Sequence, residues 1–170
     1  MGERKIGLVP RVVRGGMGGA MWYGLVVTDR RSIFVLEMAD RTSLGAFAFG
    51  VVGAALTAGM QSSKAYDYQA ADPDVLSGLK DTVTIPHESI ESMQFKSGSM
   101  SSRILFRYRS SNGKIRKFDV NLVPPDRYVS DRVAAGRGRK DAVTEYANEV
   151  RTLFKRALPL TTSMKVEWNQ

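Results

Sequence analysis

Between residues 6 and 123 the apolar positions fall into short alternating runs separated by turn residues, which is the pattern of β-strands. The first run covers 6–13, with Pro10 suited to an edge or a bulge because it has no N–H to donate. Runs at 21–28 and 32–38 flank Asp29-Arg30-Arg31 and predict a hairpin, with the side chains of Thr28 and Asp29 bonding the backbone ahead to close the turn. Further strands are predicted over 82–85, ended by Pro86, then 90–96 and 103–109. A returning strand over 114–123 follows Asn112-Gly113, a strong hairpin signal. That makes seven strands. Glycines at 15–19, the polar turn at 87–89 and the Gly/Ser stretch at 97–102 are read as joints.

Beyond residue 124 the period changes. Pro124-Pro125 breaks the strand pattern, and Asp126 can cap a short helix running to about Ala135. From 140 to 158, Val143, Tyr146, Ala147, Val150, Leu153, Phe154 and Ala157 fall on one face at helical spacing, and Pro159 ends the run. Residues 161–168 are read as either one more strand or a tail.

Residues 44–60 carry no charge and fit neither a half-buried strand nor a surface helix. Ala46, Gly50, Ala54 and Ala58 recur every four residues, a small-residue stripe that allows close helix packing. The run is shorter than the roughly 20 residues a bilayer needs. The chain is thus read as one domain over 1–170 with an insertion at 43–80, made of an apolar helix at 44–60 and a polar loop at 61–80.

Composition narrows the chemistry. A net charge of +8 and an isoelectric point near 9.9 suit an anionic partner. With no cysteine, disulfides, thiol nucleophiles and cysteine-ligated zinc are excluded. Residues 1–10 lack the apolar core of a signal peptide, so a cytoplasmic location is expected. His87 is the single histidine and lacks the neighbours of a triad or a metal cluster, so it is read as a turn residue. Gly15–Gly19 lacks the Gly-Lys-Ser/Thr of a phosphate-binding loop. The Arg137-Gly138-Arg139-Lys140 run leads straight into a helix, so nucleic acid is not favoured as a partner. No cofactor, metal, small-molecule substrate or catalytic activity is expected.

The densest charge lies in the hairpin from Arg103 to Lys117, which holds six basic residues and no acidic one. Alternation puts Ile104, Phe106 and Tyr108 on one face and Arg103, Arg107 and Arg109 on the other. Lys114 and Lys117 can extend that face from the next strand, which makes these five cations the candidate anion- or lipid-binding residues.

The run from Leu25 to Arg31 with Ile33-Phe34-Val35, the stretch from Thr84 through Ile85-Pro86 and Ser89-Ile90 to Met93, and the Asn112-Gly113 hairpin backed by Phe118 and Val120 resemble bacterial and archaeal pleckstrin-homology-like and GRAM-type domains. The resemblance covers most of 6–124 plus the helix at 140–158, and leaves 44–80 unmatched. It implies a mainly β (α+β) fold: a seven-stranded antiparallel barrel plugged by the C-terminal helix, serving as a non-catalytic binding platform. The expected function is an interaction module that assembles as a homo-oligomer through 44–60, with Ala46, Phe47, Phe49, Gly50, Gly53, Ala54 and Ala58 as contacts. The alternative is a peripheral membrane protein that meets anionic lipid through the basic hairpin and the same apolar segment.

Overall fold

The computed structural model describes residues 2–16, 19–40, 67–97, 101–159, 162 and 166–167. Eight strands form one sheet: β1 (Lys5–Gly16), β2 (Gly19–Thr28), β3 (Arg31–Asp40), β4 (Val83–Pro86), β5 (Ile90–Ser97), β6 (Ser102–Arg109), β7 (Ile115–Leu122) and β8 (Val166–Glu167). Among the described residues three α-helices accompany it, α1 (Pro73–Ser77), α2 (Asp126–Ala134) and α3 (Arg139–Ala157). The order across the sheet is β4-β3-β2-β1-β7-β6-β5-β8. Every neighbouring pair is antiparallel except β5 and β8, which run parallel.

The expected closed seven-stranded barrel is therefore corrected to an open, mixed eight-stranded sheet with β4 and β8 at its edges. The reason is local. β4 is four residues long and pairs only with the first half of β3, from Arg31 to Phe34. Pro86 ends it, and the chain turns away through a single 3₁₀ turn, His87–Ser89. The far edge of β5 is taken by β8, so β4 and β5 never join.

One face of the sheet carries the main core. Tyr23, Leu25, Val27, Phe34, Ile104, Phe106, Phe118 and Val120 meet Tyr146, Ala147, Val150 and Phe154 of α3. The face of α3 that the spacing selected is the buried one. Phe34 lies 4.7 Å from Phe118 and 5.6 Å from Phe106 between ring centroids, and Phe106 lies 5.9 Å from Phe154. Gly7 brings α3 against β1, because a β-carbon there would overlap the side chain of Leu153.

The opposite face of β2 and β3 is covered too, which explains why β2 is buried almost throughout rather than at alternate positions. Val26, Ile33 and Val35 pack under Leu76 of α1, with Tyr68, Ala71 and Leu79 beside it. Residues 67–81 thus form a strap across the sheet, where a polar loop was expected. Lys5 Nζ donates to the carbonyls of Tyr68 and Gln69 at 3.0 and 2.6 Å. Arg31 clamps the strap by pairing with both Glu3 and Asp74. Tyr68 donates to Glu37 Oε1 at 2.5 Å directly above Gly24, where a β-carbon would stand 2.5 Å from the Tyr68 hydroxyl.

Candidate anion-binding face

β6 shows the alternation expected of it: Ile104, Phe106 and Tyr108 are buried, while Arg103, Arg107 and Arg109 point outward with about half of each side chain exposed. β7 completes the face with exposed Lys117, and Lys114 sits in the turn before it. The five cations singled out from the sequence therefore lie on or beside one sheet face. A sixth, Lys96 of β5, joins them and was not anticipated, because only strand pairing shows which side of β5 adjoins Arg103.

The register gives this face an unusual feature. Arg107 stands directly opposite Lys117 across the β6–β7 ladder. Lys96 stands directly opposite Arg103 across the β5–β6 ladder. Like charges at directly opposed positions weaken a sheet, by a few tenths to about 1 kcal/mol per pair. Two such pairs occupy one face, about 13 Å apart along β6 at strand rise. The pairing partner between them is milder: Leu105 lies opposite Asp119 and Gln94.

Carboxylates hold the arginines without silencing the face. The β5 register shifts between Ile90 and Ser92, and the extra residue is Glu91. Its carboxylate reaches Arg109 Nη2 at 2.6 Å and Arg107 Nε at 3.5 Å. Arg103 Nε lies 3.3 Å from Asp119 Oδ1, close enough to attract but not aligned as a hydrogen bond, and 3.5 Å from Asn121 Oδ1. Lys96, Lys114 and Lys117 have no carboxylate within 4 Å among the described residues. The result is a set of oriented guanidinium groups among uncommitted ammonium groups.

The same face has little else to offer a ligand. Phe95, Phe106, Tyr108 and Phe118 all point into the core. Half-buried Leu105, between Arg103 and Arg107, and Ile115, 45 % exposed, are the large apolar side chains on its outer surface among the described residues. Among the described residues there is no aromatic platform for a base on this face.

His87 proves to be more than a turn residue. It is 1 % exposed, its Nε2 lies 3.1 Å from Ser32 Oγ, and its carbonyl accepts from Thr162 Oγ1 at 3.1 Å. Burial pushes its pKa down to about 4. Ser32 is fully buried, so the pair is closed to substrate. Among the described residues no group of three or more metal-ligating side chains comes together.

Two expectations are withdrawn with the barrel. The self-associating pleckstrin-homology-like module and its membrane-binding alternative both rested on a closed barrel bearing an apolar helix. The sheet is open, and among the described residues no helix is long and apolar enough to cross a membrane. Ala46, Phe47, Phe49, Gly50, Gly53, Ala54 and Ala58 lie outside the described residues. Comparison of the chain with protein-family models, with curated proteins and with solved structures returns no match.

Proposed function

We propose that this protein binds the phosphate backbone of nucleic acid, without reading base sequence, on the outer face of β5, β6 and β7. The observation that carries the reading is the pair of like-charge register positions, Arg107 opposite Lys117 and Lys96 opposite Arg103, on an exposed face. Such pairings cost stability in the free protein, and a repeating anion laid across the strands offsets that cost at both places at once. A phosphodiester chain is an anion of this form, extended and evenly charged. An isolated phosphate would instead need cations converging in a hollow, and firm seating on a lipid surface would add apolar side chains to the cations, of which this face offers few among the described residues. Among the described residues this face exposes no aromatic ring, which supports backbone contact over base stacking. The net charge of +8 favours the encounter from any direction.

The test is fluorescence anisotropy with labelled single- and double-stranded oligonucleotides of mixed sequence, from 50 to 200 mM salt. About four phosphates neutralised at once gives a log–log slope of affinity against salt of about −3.6 for duplex and about −2.8 for single strands. The double variant Arg107→Glu, Lys117→Glu is expected to lose most of the binding and flatten that slope. No binding at 50 mM salt, equal binding by the double variant, or binding to acidic vesicles without binding to oligonucleotides would each overturn the proposal.

A further inference from the structure

We infer that the hollow between β4 and the turn joining β6 to β7 is a binding site for one unpaired guanine base, carried by a free nucleotide or by a strand lying on the neighbouring face. The hollow has a volume of about 910 Å³ and opens to solvent, within the size range of small-ligand sites. β4 forms one wall through Val83, Thr84 and Pro86, and the adjoining ends of β5, β6 and β7 form the other. The strand register shows how that second wall is built. Ile90 stands opposite Tyr108, and Tyr108 stands opposite Arg116. The three make a row across three strands on the side of the sheet that carries the core. Exposed Arg116 is thus the one cation of the hairpin that the outer face does not use.

Several polar groups of this hollow have no partner among the described residues. Arg116 has no carboxylate within 4 Å, and Glu88 has no cation within that distance. Tyr108 is 9 % exposed, its ring belongs to the main core, and its hydroxyl makes no hydrogen bond. Thr82 Oγ1 is buried and unpaired as well. Buried polar groups are normally paired, so unpaired hydroxyls in the wall of a hollow point to a ligand that pairs them. Arg109, by contrast, is committed to Glu91 and to the carbonyl of Gly113. The lining selects the chemistry of that ligand. Glu88 and Glu91 stand with Arg109 and Arg116, so formal charge cancels and a phosphate is not favoured. Tyr108 buries its ring, which leaves no aromatic face for a sugar to lie on. What fits is a flat group with acceptors on one edge and donors on the next. In guanine, O6 and N7 accept from a guanidinium fork such as Arg116. Its N1–H and N2–H₂ groups donate to a carboxylate such as Glu88. Val83, Pro86 and Ile90 supply apolar contact for the faces of the ring. The base site does not depend on the phosphate-binding face. Only delivery of the base by a strand rests on that reading.

The experiment is titration of the isotope-labelled full-length protein with the 5′-monophosphates of guanosine, adenosine, cytidine and uridine, followed by amide shifts. Guanosine monophosphate should bind at least about fivefold more tightly than the others, with shifts concentrated at 82–91 and 108–116, because a bidentate base contact discriminates by that factor or more. Arg116→Gln, at an exposed position, should weaken its binding about tenfold. Tyr108→Phe keeps the ring in the core and should weaken it about threefold. Lys117→Glu, on the outer face, should leave it within about twofold, which separates this site from the phosphate-binding face. No binding up to about 5 mM, equal affinity for all the nucleotides, or undiminished affinity in Arg116→Gln would overturn the inference. A single-stranded oligonucleotide with one guanine, set against the same strand with adenine in its place, identifies the source of the base. A preference for guanine that is lost in Arg116→Gln assigns the base to a strand, and no preference assigns it to a free nucleotide. If neither strand binds while guanosine monophosphate does, the phosphate-binding face fails and the base site stands.

Discussion

His87 sits where a positive charge has no room. Its imidazole is buried between Ser32 and the carbonyl-anchored turn, and its pKa falls to about 4 because burial penalises the charged form, even though Asp29 and Glu3 face it and favour the charge. In the unfolded chain the ring titrates near 6.5. As pH falls below 6.5 the unfolded chain takes up a proton that the folded protein refuses, so stability declines, and the decline ends once the folded ring itself titrates. Between pH 7.5 and 4.5 the loss is about 2–3 kcal/mol, or roughly 5–10 °C in Tm for a chain of this size. Glu37 works in the opposite direction, since burial raises its pKa and protonation relieves the cost. Comparing wild type with His87→Gln isolates the histidine. The glutamine can keep a bond to Ser32 but cannot ionise, and the Tm advantage of wild type at pH 7.5 should shrink by that amount at pH 4.5. A constant difference across this range would mean that His87 ionises freely in the folded state. The hairpin turn was legible at the same scale, though only in part. Thr28 Oγ1 accepts from the N–H groups of Arg30 and Arg31 as expected, whereas Asp29 reaches back to the N–H of Arg4. A carboxylate in a turn has several backbone donors within reach, and only the tertiary pairing of β1 with β2 decides among them.

At the scale of elements, strands and the long helix could be read because each has enough residues to show a period. The helix expected at 140–158 is Arg139–Ala157, with the anticipated residues buried except Leu153, which is partly buried against the core. α1 could not be read, and β8 only as one of two alternatives for residues 161–168. A five-residue helix holds less than two turns, and a two-residue strand has no alternation at all. The openness of the sheet was equally hidden, because the length of β4 and the turn at 87–89 show it only once the strand pairing is known. Contact between elements can be tested where a glycine permits it. Gly7 lies beneath Leu153, and a methyl group there would collide with the leucine side chain. Gly7→Ala should cost about 1–3 kcal/mol by forcing α3 or Leu153 aside. Leu153→Ala removes the obstacle, so the two changes should be non-additive by about 1 kcal/mol or more in urea denaturation. Additive losses would show that α3 does not bear on β1 at this point.

For the whole molecule, stability and binding are set against each other on the face of β5–β7. The sequence exposed the arginine side of β6, but not the confrontation of charges, because that requires the registers of two ladders and a bulge at Glu91 that no single strand encodes. If the face exists to hold an anionic chain, its free state should be improvable at the expense of its use. Lys117→Glu turns the like pair with Arg107 into an opposite pair. The free protein should gain about 0.5–1 kcal/mol, or roughly 1–4 °C in Tm. Oligonucleotide affinity at 100 mM salt should fall about tenfold, which corresponds to about 1.4 kcal/mol. It should also lose about one unit of salt slope, because a phosphate contact has been replaced by repulsion. Lys140→Glu makes the same change in net charge at the exposed start of α3 and should leave affinity within twofold. The two variants together separate a local contact from a general field. Equal losses in both would assign the binding to net charge, spread over the surface. A loss confined to Lys117→Glu, accompanied by a rise in Tm, would mean that the opposed cations are a cost the fold carries for its ligand.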